Sequence, residues 1–292
     1  MDESSWLTER FEDNRTRLQA IAYRMVGSLA EAEDAVQEAW LRLSCADTSD
    51  VGNLGAWLTT VVTRVCLDML RSRKARREES LDARVSSASR DREADPEYEA
   101  VLADSVGLAL LVVLDRLTPA ERIAFVLHDM FDLPFDDIAP IVGRTTTAAR
   151  QLASRARRRV QGSAKVSHAD LRGQREVVDA FLTAVRHGDL DALLEVLDPD
   201  VVRRADPFAV PPGASREVRG ARTVAGQSLE AWQRARFAQP ALVNGNVGIV
   251  VAPRGRLILV LGFTFARGNI VEIDVITDPE RLRELDLSVL DS

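Results

Sequence analysis

"PFDDIAPIVGRTTTAARQLASRARRRV", residues Pro134 to Val160, decides how the chain is read. Phe135 to Val142 sets Ile138, Ile141 and Val142 at the spacing of one helix face, and Gly143 offers a tight turn after them. Thr145 is placed to cap a second helix by accepting a backbone N–H bond. Along that helix Ala149, Leu152 and Ala156 recur on an inward face. Thr146, Thr147, Arg150, Gln151, Ser154 and Arg155 are thereby left outward, with Arg144 in the turn. This is the grammar of a helix-turn-helix. Its outward side chains suit nucleic acid: Arg matches guanine, Gln matches adenine, and hydroxyls serve either. Arg157, Arg158 and Arg159 extend the series as phosphate-contact candidates. A helical hairpin with a solvated basic face is the plain alternative.

The charge pattern favours the first reading. The 292-residue chain carries a formal net charge of −7, yet no Asp or Glu occurs between Asp137 and Asp170. Earlier, Met1 to Leu43 has nine acids against five bases, whereas Arg64 to Arg77 has six bases against Asp68 alone. Glu78 to Asp104 turns acidic again, with nine acids against three bases. Distribution in blocks, rather than the total, is what a nucleic-acid surface displays.

Length suggests two or three domains. With 46% hydrophobic and 28% charged residues, the composition is that of a soluble globular protein and excludes a membrane role. The start, "MDESSWLTER", lacks the apolar core of a signal peptide, so a cytoplasmic location is expected. Cys45 and Cys66 have no metal-ligand spacing and read as reduced, buried thiols.

Residues 9–43 read as two helices broken at Gly27–Ser28, with Ser28 and Glu31 forming a capping box for the second. That second helix buries Ala32, Ala35, Val36, Ala39, Trp40 and Leu43 and shows Glu31, Asp34, Gln37 and Glu38 on its other face. After a loop, "AWLTTVVTRVCLDMLRSRKARREE" is a third helix, cationic towards its C-terminal end, with Trp57 in the core. Residues 79–104 have the composition of an acidic flexible linker. Helices resume at about 100–117 and 119–131, the latter opened by Thr118–Pro119 and Glu121. From about residue 174 the pattern becomes a helical pair broken at Gly188, then three strands between Pro240 and Pro279 with turns at Pro253–Gly255 and Arg267–Asn269. This last part is α+β.

Three stretches together, "GSLAEAEDAVQEAWLRL", "GAWLTTVVTRVCLDMLRSRKARRE" and "LTPAERIAFVLHDMFDLPFDDIAPIVGRTTTAARQLASRARRRV", resemble regions 2 and 4 of bacterial extracytoplasmic-function sigma factors. The C-terminal part resembles the SnoaL-like α+β cone that some of them carry. The resemblance implies a multi-domain chain: two all-α sigma domains, a region 2 bundle at 9–78 and a region 4 helix-turn-helix at 105–162, then a SnoaL-like cone at 171–290. It implies core RNA polymerase and promoter DNA as partners, and no membrane. Asp34, Gln37 and Glu38 would meet the β′ clamp helices, while region 4 would meet the β flap. Arg64, Asp68, Arg71, Arg73 and Lys74 would face the −10 element, and Arg144, Thr145, Thr146, Thr147, Arg150, Gln151, Ser154 and Arg155 the −35 element. The C-terminal domain would regulate activity through an intramolecular contact with the sigma core. Where that subgroup has an Asp-Gly-Gly-Gly loop, this chain has "RRADPFAVPPGAS", Arg203 to Ser215.

SnoaL-like cones elsewhere host isomerases and other small-molecule enzymes, so a ligand-binding or isomerase-type function fused to a DNA-binding region is the alternative. Phe181, Trp232, Phe237, Phe263 and Phe265 would line its pocket, with Asp206, Glu272 or Asp274 as a general base if burial raised its pKa. No Ser–His–Asp or metal-ligand spacing supports catalysis. Neither cofactor nor metal is expected.

Overall fold

A computed structural model describes residues 3–46, 52–80, 107–162, 167–211, 213–230 and 237–290. Most of the acidic stretch read as a linker, from residue 81 to 104, lies outside them. The described residues fall into two compact units: those up to 80 together with 114–157, and 107–113 together with 158–290.

The first unit opens with helices α1 (Glu3–Val26), α2 (Leu29–Cys45) and α3 (Leu54–Ser80). Leu18, Ile21 and Met25 of α1 are fully buried, as are Leu43 of α2 and Leu58 of α3. Each such side chain contributes roughly 1.5–3 kcal/mol when taken out of water. The break at Gly27 falls where expected, but the capping box does not form. Ser28 occupies the N-cap position without a side-chain bond, and the Glu31 carboxylate, which would have supplied the reciprocal half of the box, pairs with Arg73. That ion pair offers the carboxylate a cation, a stronger partner than the lone backbone N–H of a reciprocal cap. Trp57 is half-buried rather than in the core, Cys66 is buried, and Cys45 is exposed. Burial pushes the Cys66 thiol up to about 12.

Helix α4 (Leu108–Asp115) precedes α5 (Pro119–Phe125). Here a capping box does form: the Glu121 N–H donates to Thr118 Oγ1 at 3.4 Å, and the Thr118 N–H donates to the Glu121 carboxylate at 3.1 Å. The run expected to end at 131 instead passes into a π-helical turn, Val126–Met130. Helix α6 (Phe135–Val142) ends at Gly143, whose φ of 67° places it in the left-handed region. Helix α7 (Thr146–Gln161) follows, and the Ala148 N–H donates to Thr145 Oγ1 at 3.2 Å. The turn and the cap are those the sequence prescribes.

The two halves of this unit meet at the end of α1. The last carbonyls of a helix lack internal partners and carry its negative dipole end, so they attract cations. Arg73 Nη1 donates to the Val26 carbonyl at 2.9 Å. Arg122 Nη1, from α5, donates to the Met25 carbonyl at 2.8 Å, and its Nη2 reaches Asp115 Oδ1 at 3.1 Å. Arg122 is only 4% exposed.

The second unit contains α8 (His168–His187), α9 (Leu190–Val196), α10 (Ala221–Glu230), α11 (Pro279–Glu284) and a seven-stranded sheet. Its strands are β1 (Leu197–Ala205), β2 (Glu217–Arg219), β3 (Ala238–Val243), β4 (Asn246–Val251), β5 (Leu259–Ala266), β6 (Asn269–Ile276) and β7 (Leu287–Ser288), in the order β2-β1-β6-β5-β4-β3-β7. All pairings are antiparallel except β1 with β6. The expected three strands after Pro240 are thus four, β3 to β6. The missed turn is Asn244–Gly245, where φ values of 51° and 86° fit the two-residue hairpin that Asn-Gly prefers. Phe181 of α8 packs edge-on against Phe263 of β5, with 5.5 Å between ring centroids.

Candidate nucleic-acid interface

Helix α7 buries Ala149, Ala153, Ala156 and Val160, while Leu152, expected inward, is half-buried at the edge of that row. Thr147, Arg150, Gln151, Ser154 and Arg155 are all exposed and share the opposite face at 3.6 residues per turn. Thr146 is less available: it is half-buried and donates its hydroxyl proton to Asp136 Oδ1 at 2.9 Å. Thr145 is exposed and holds the cap, and exposed Arg144 donates to the neighbouring Gly143 carbonyl at 3.3 Å. The Arg150 guanidinium lies 5.8 Å from the Phe135 ring centroid, which orients it across the turn between α6 and α7. Arg157 is not a free phosphate contact. It is half-buried and ion-paired with Asp129 of the π-helical turn.

On α3, Arg64, Asp68 and Arg71 are exposed at i, i+4 and i+7, one stripe about 10 Å long. Half-buried Trp57 continues that stripe two turns earlier. Arg71 and Asp68 sit 3.8 Å apart. Lys74 is exposed on the flank. Arg73 points the other way, into its bonds with Glu31 and the end of α1. Of the loop Ser44 to Asn53, residues 47–51 lie outside the described residues.

On α2, Asp34 and Gln37 are exposed, and Glu38 is half-buried with Arg42 Nε donating to it at 2.9 Å. Leu41 follows them and is 52% exposed. The i, i+3, i+7 spacing from Asp34 puts this apolar residue at the C-terminal end of the polar stripe, one turn beyond Gln37 and Glu38.

In the second unit Asp206 is 4% exposed and fully engaged. It accepts from the backbone N–H of Thr277 (2.6 Å), Asp278 (2.6 Å), Phe208 (3.1 Å) and Ala209 (3.0 Å), and from the Thr277 hydroxyl (2.7 Å). Burial alone would raise its pKa, but these donors overcome it and hold the carboxyl below its ordinary value. It is a structural anion tying β1 to the end of β6, not a base awaiting a proton. A depressed folded-state pKa stabilises above the unfolded value, and that stability is lost as pH falls through the folded one. Asp206→Asn should therefore cost about 2–3 kcal/mol at neutral pH. By differential scanning calorimetry its deficit relative to wild type should shrink below about pH 4. Phe263 is buried against Phe181 and Phe265, Phe237 is half-buried, and Trp232 lies outside the described residues. A cavity among the described residues of this unit is walled instead by β1, β2, α10 and the loop after Asp206. Among the described residues no cluster of His, Cys, Asp and Glu could hold a metal, and no helix is long and apolar enough to cross a membrane.

Comparison with known proteins bears on both helical surfaces. Residues 10–76 match the sigma-70 region 2 family and residues 107–160 the sigma-70 region 4 family. A probable ECF RNA polymerase sigma factor, SigI of Mycobacterium tuberculosis, is 38% identical over 286 residues, 93% of each chain. The ECF sigma factor SigJ of M. tuberculosis is 42% identical over 260 residues, 83% of this chain and 80% of the relative. The crystal structure of M. tuberculosis SigJ, at 33% identity, covers 94% of this chain and 98% of its own, with a TM-score of 0.46.

Proposed function

This chain belongs to the extracytoplasmic-function RNA polymerase sigma factors, and on that footing we propose how its surfaces divide the work of promoter-specific initiation. The module at 105–162 reads the −35 element through the exposed face of α7, led by Arg150, Gln151 and Arg155, and rests on the polymerase β flap. Arg144 and Thr147 flank that face, while Ser154 extends it. Thr145 and Thr146 serve by fixing the start of the helix. The module at 9–78 presents Arg64, Asp68 and Arg71, with Lys74 beside them, to the −10 element. Trp57 lies on the same stripe, where an aromatic face can receive an unstacked base. Arg73 acts at one remove, by holding α3 against α1. The stripe Asp34–Gln37–Glu38, with Leu41 at its C-terminal end, docks on the β′ clamp helices. An exposed apolar side chain next to polar ones can serve as an anchor in such a contact. The protein performs no covalent chemistry, takes no cofactor and works in the cytoplasm.

The observation that carries this reading is the basic α7 face, held out by the Gly143 turn and the Thr145 cap with no acidic side chain on it. The C-terminal unit, 171–290, regulates the sigma core through an intramolecular contact. The test is reconstituted transcription on genomic fragments, with and without core enzyme. Full-length protein should give discrete start sites only with core, and the transcripts should weaken steeply with salt. Truncation after Lys165 should change their yield. Start sites identical to those of core alone would overturn the assignment of surfaces. Equal yields from both lengths would overturn the regulatory role.

A further inference from the structure

Two adjacent arginines on β1 meet opposite fates. Directly paired residues on neighbouring strands point to the same face of a sheet, and successive residues alternate. The register aligns Val218, Arg203, Ile273 and Phe263 across β2, β1, β6 and β5. Ile273 and Phe263 are buried in the apolar core, so Arg203 is carried onto the same inner face. Arg204 faces the other way and is satisfied there by Glu217, 3.2 Å away, and by Glu272. Arg203 donates to no described residue, and its Nε is fully buried. Burial also pushes its pKa below the usual arginine value. A half-buried guanidinium beside an apolar core, with no ion pair among the described residues, carries a desolvation cost that a bound anion would offset.

A second orphan stands by the same space. Gln227, on α10, has its side-chain carbonyl oxygen fully buried with no donor. Arg203 and Gln227 both line a cavity of about 270 Å³, whose other walls include Val210, Pro211 and Val218, with Glu230 on the same rim. One wall thus offers a positive donor and another a neutral acceptor, with Val210, Pro211 and Val218 supplying an apolar strip on a lining that is mostly polar. Glu230 selects by charge: a group with two or more negative charges meets repulsion there, while a single carboxylate can lie against Arg203.

We propose that this cavity is a binding site for a small hydroxy-carboxylic acid. The carboxylate pairs with the Arg203 guanidinium, the hydroxyl donates to Gln227 Oε1, and the aliphatic body packs on Val210, Pro211 and Val218. At roughly 30 Å³ per heavy atom the space takes about nine of them, the size of 3-hydroxyhexanoate. The site lies wholly within the C-terminal unit, so it stands independently of the polymerase and DNA surfaces assigned above.

Calorimetric titration of the full-length protein with four probes tests it. 3-Hydroxyhexanoate should saturate with a Kd of about 0.1–1 mM. Hexanoate, lacking the hydroxyl, should bind about 5- to 10-fold more weakly. Hexane-1,3-diol and inorganic phosphate should not saturate. Arg203→Met keeps the aliphatic stem and should weaken 3-hydroxyhexanoate at least about 10-fold. Its melting temperature without ligand should hold or rise, since an unpaired cation has been removed from an apolar face. Gln227→Leu should abolish the preference for 3-hydroxyhexanoate over hexanoate. No saturation of the wild type by 10 mM overturns the site, as does phosphate binding more tightly than the acid. Equal affinity in Arg203→Met, or a lower melting temperature for that variant, assigns Arg203 to the fold and overturns it too.

Discussion

Replacing Arg150 and Arg155 together by Glu is expected to lower promoter-specific transcription by about 100-fold or more, with the protein still folded. Both side chains are exposed on α7, so neither supports the core. The stability change should stay within roughly 0.5–1 kcal/mol, including the loss of the Arg150 contact with Phe135. An arginine on a guanine edge or a phosphate contributes about 1–3 kcal/mol, and the two replacements add repulsion from the backbone. Removing two cations should also flatten the dependence of transcript yield on salt by about two units of logarithmic slope, if both meet phosphate. Start-site mapping with core polymerase, run alongside circular dichroism melting, checks both halves. Unchanged start-site choice would show that α7 is not the reading helix. Loss of folding would show that its face is structural.

The largest stability effect is expected at Arg122. Arg122→Ala removes the Arg122 donor from the Met25 carbonyl at the end of α1 and the Arg122 guanidinium from Asp115. Arg122 is 4% exposed, so water does not replace these bonds readily. Asp115 is partly open to solvent, which softens its share. The net loss should be about 2–4 kcal/mol, or roughly 5–12 °C in melting temperature. Arg122→Lys should recover only part of it, because one ammonium cannot reproduce the fork that spans a carbonyl and a carboxylate. Urea unfolding of the full-length chain, followed by Trp fluorescence, measures both variants. A loss below about 0.5 kcal/mol for Arg122→Ala would mean that the helical halves hold together without it.

Much of the helical architecture was legible because its signals are local. Gly143 and Thr145 announce a turn and a cap within three residues, and Thr118 with Glu121 does the same for α5. Where a local signal competes with a distant partner, local reading fails. Glu31 had the right spacing to cap α2, but Arg73, 42 positions away, took it. Arg157 seemed free because its own segment holds no acid; Asp129 came from the preceding turn. Asp206, one of three carboxylates that could serve as a base on the alternative reading, instead accepts from five donors, three of them from residues 277 and 278. Strand β1 was hidden for another reason. Asp198, Pro199 and Asp200 read as breakers, and only the parallel pairing with β6 makes the segment a strand. The Asn244–Gly245 hairpin, by contrast, was readable and simply overlooked.

The seating of Arg122 on the end of α1 has a kinetic meaning for the free molecule. Promoter elements named for positions −35 and −10 are centred about 25 base pairs apart, roughly 85 Å along the duplex. The compact unit that holds both helical surfaces, residues up to 80 with 114–157, is only about 35–40 Å across. On the proposed assignment of α3 and α7 to the two elements, this unit as packed cannot straddle a promoter, and any affinity that a separated form has for DNA is scaled by the fraction of molecules that are separated. Unescorted molecules would sample chromosomal DNA weakly and leave it quickly, and the holoenzyme alone would linger.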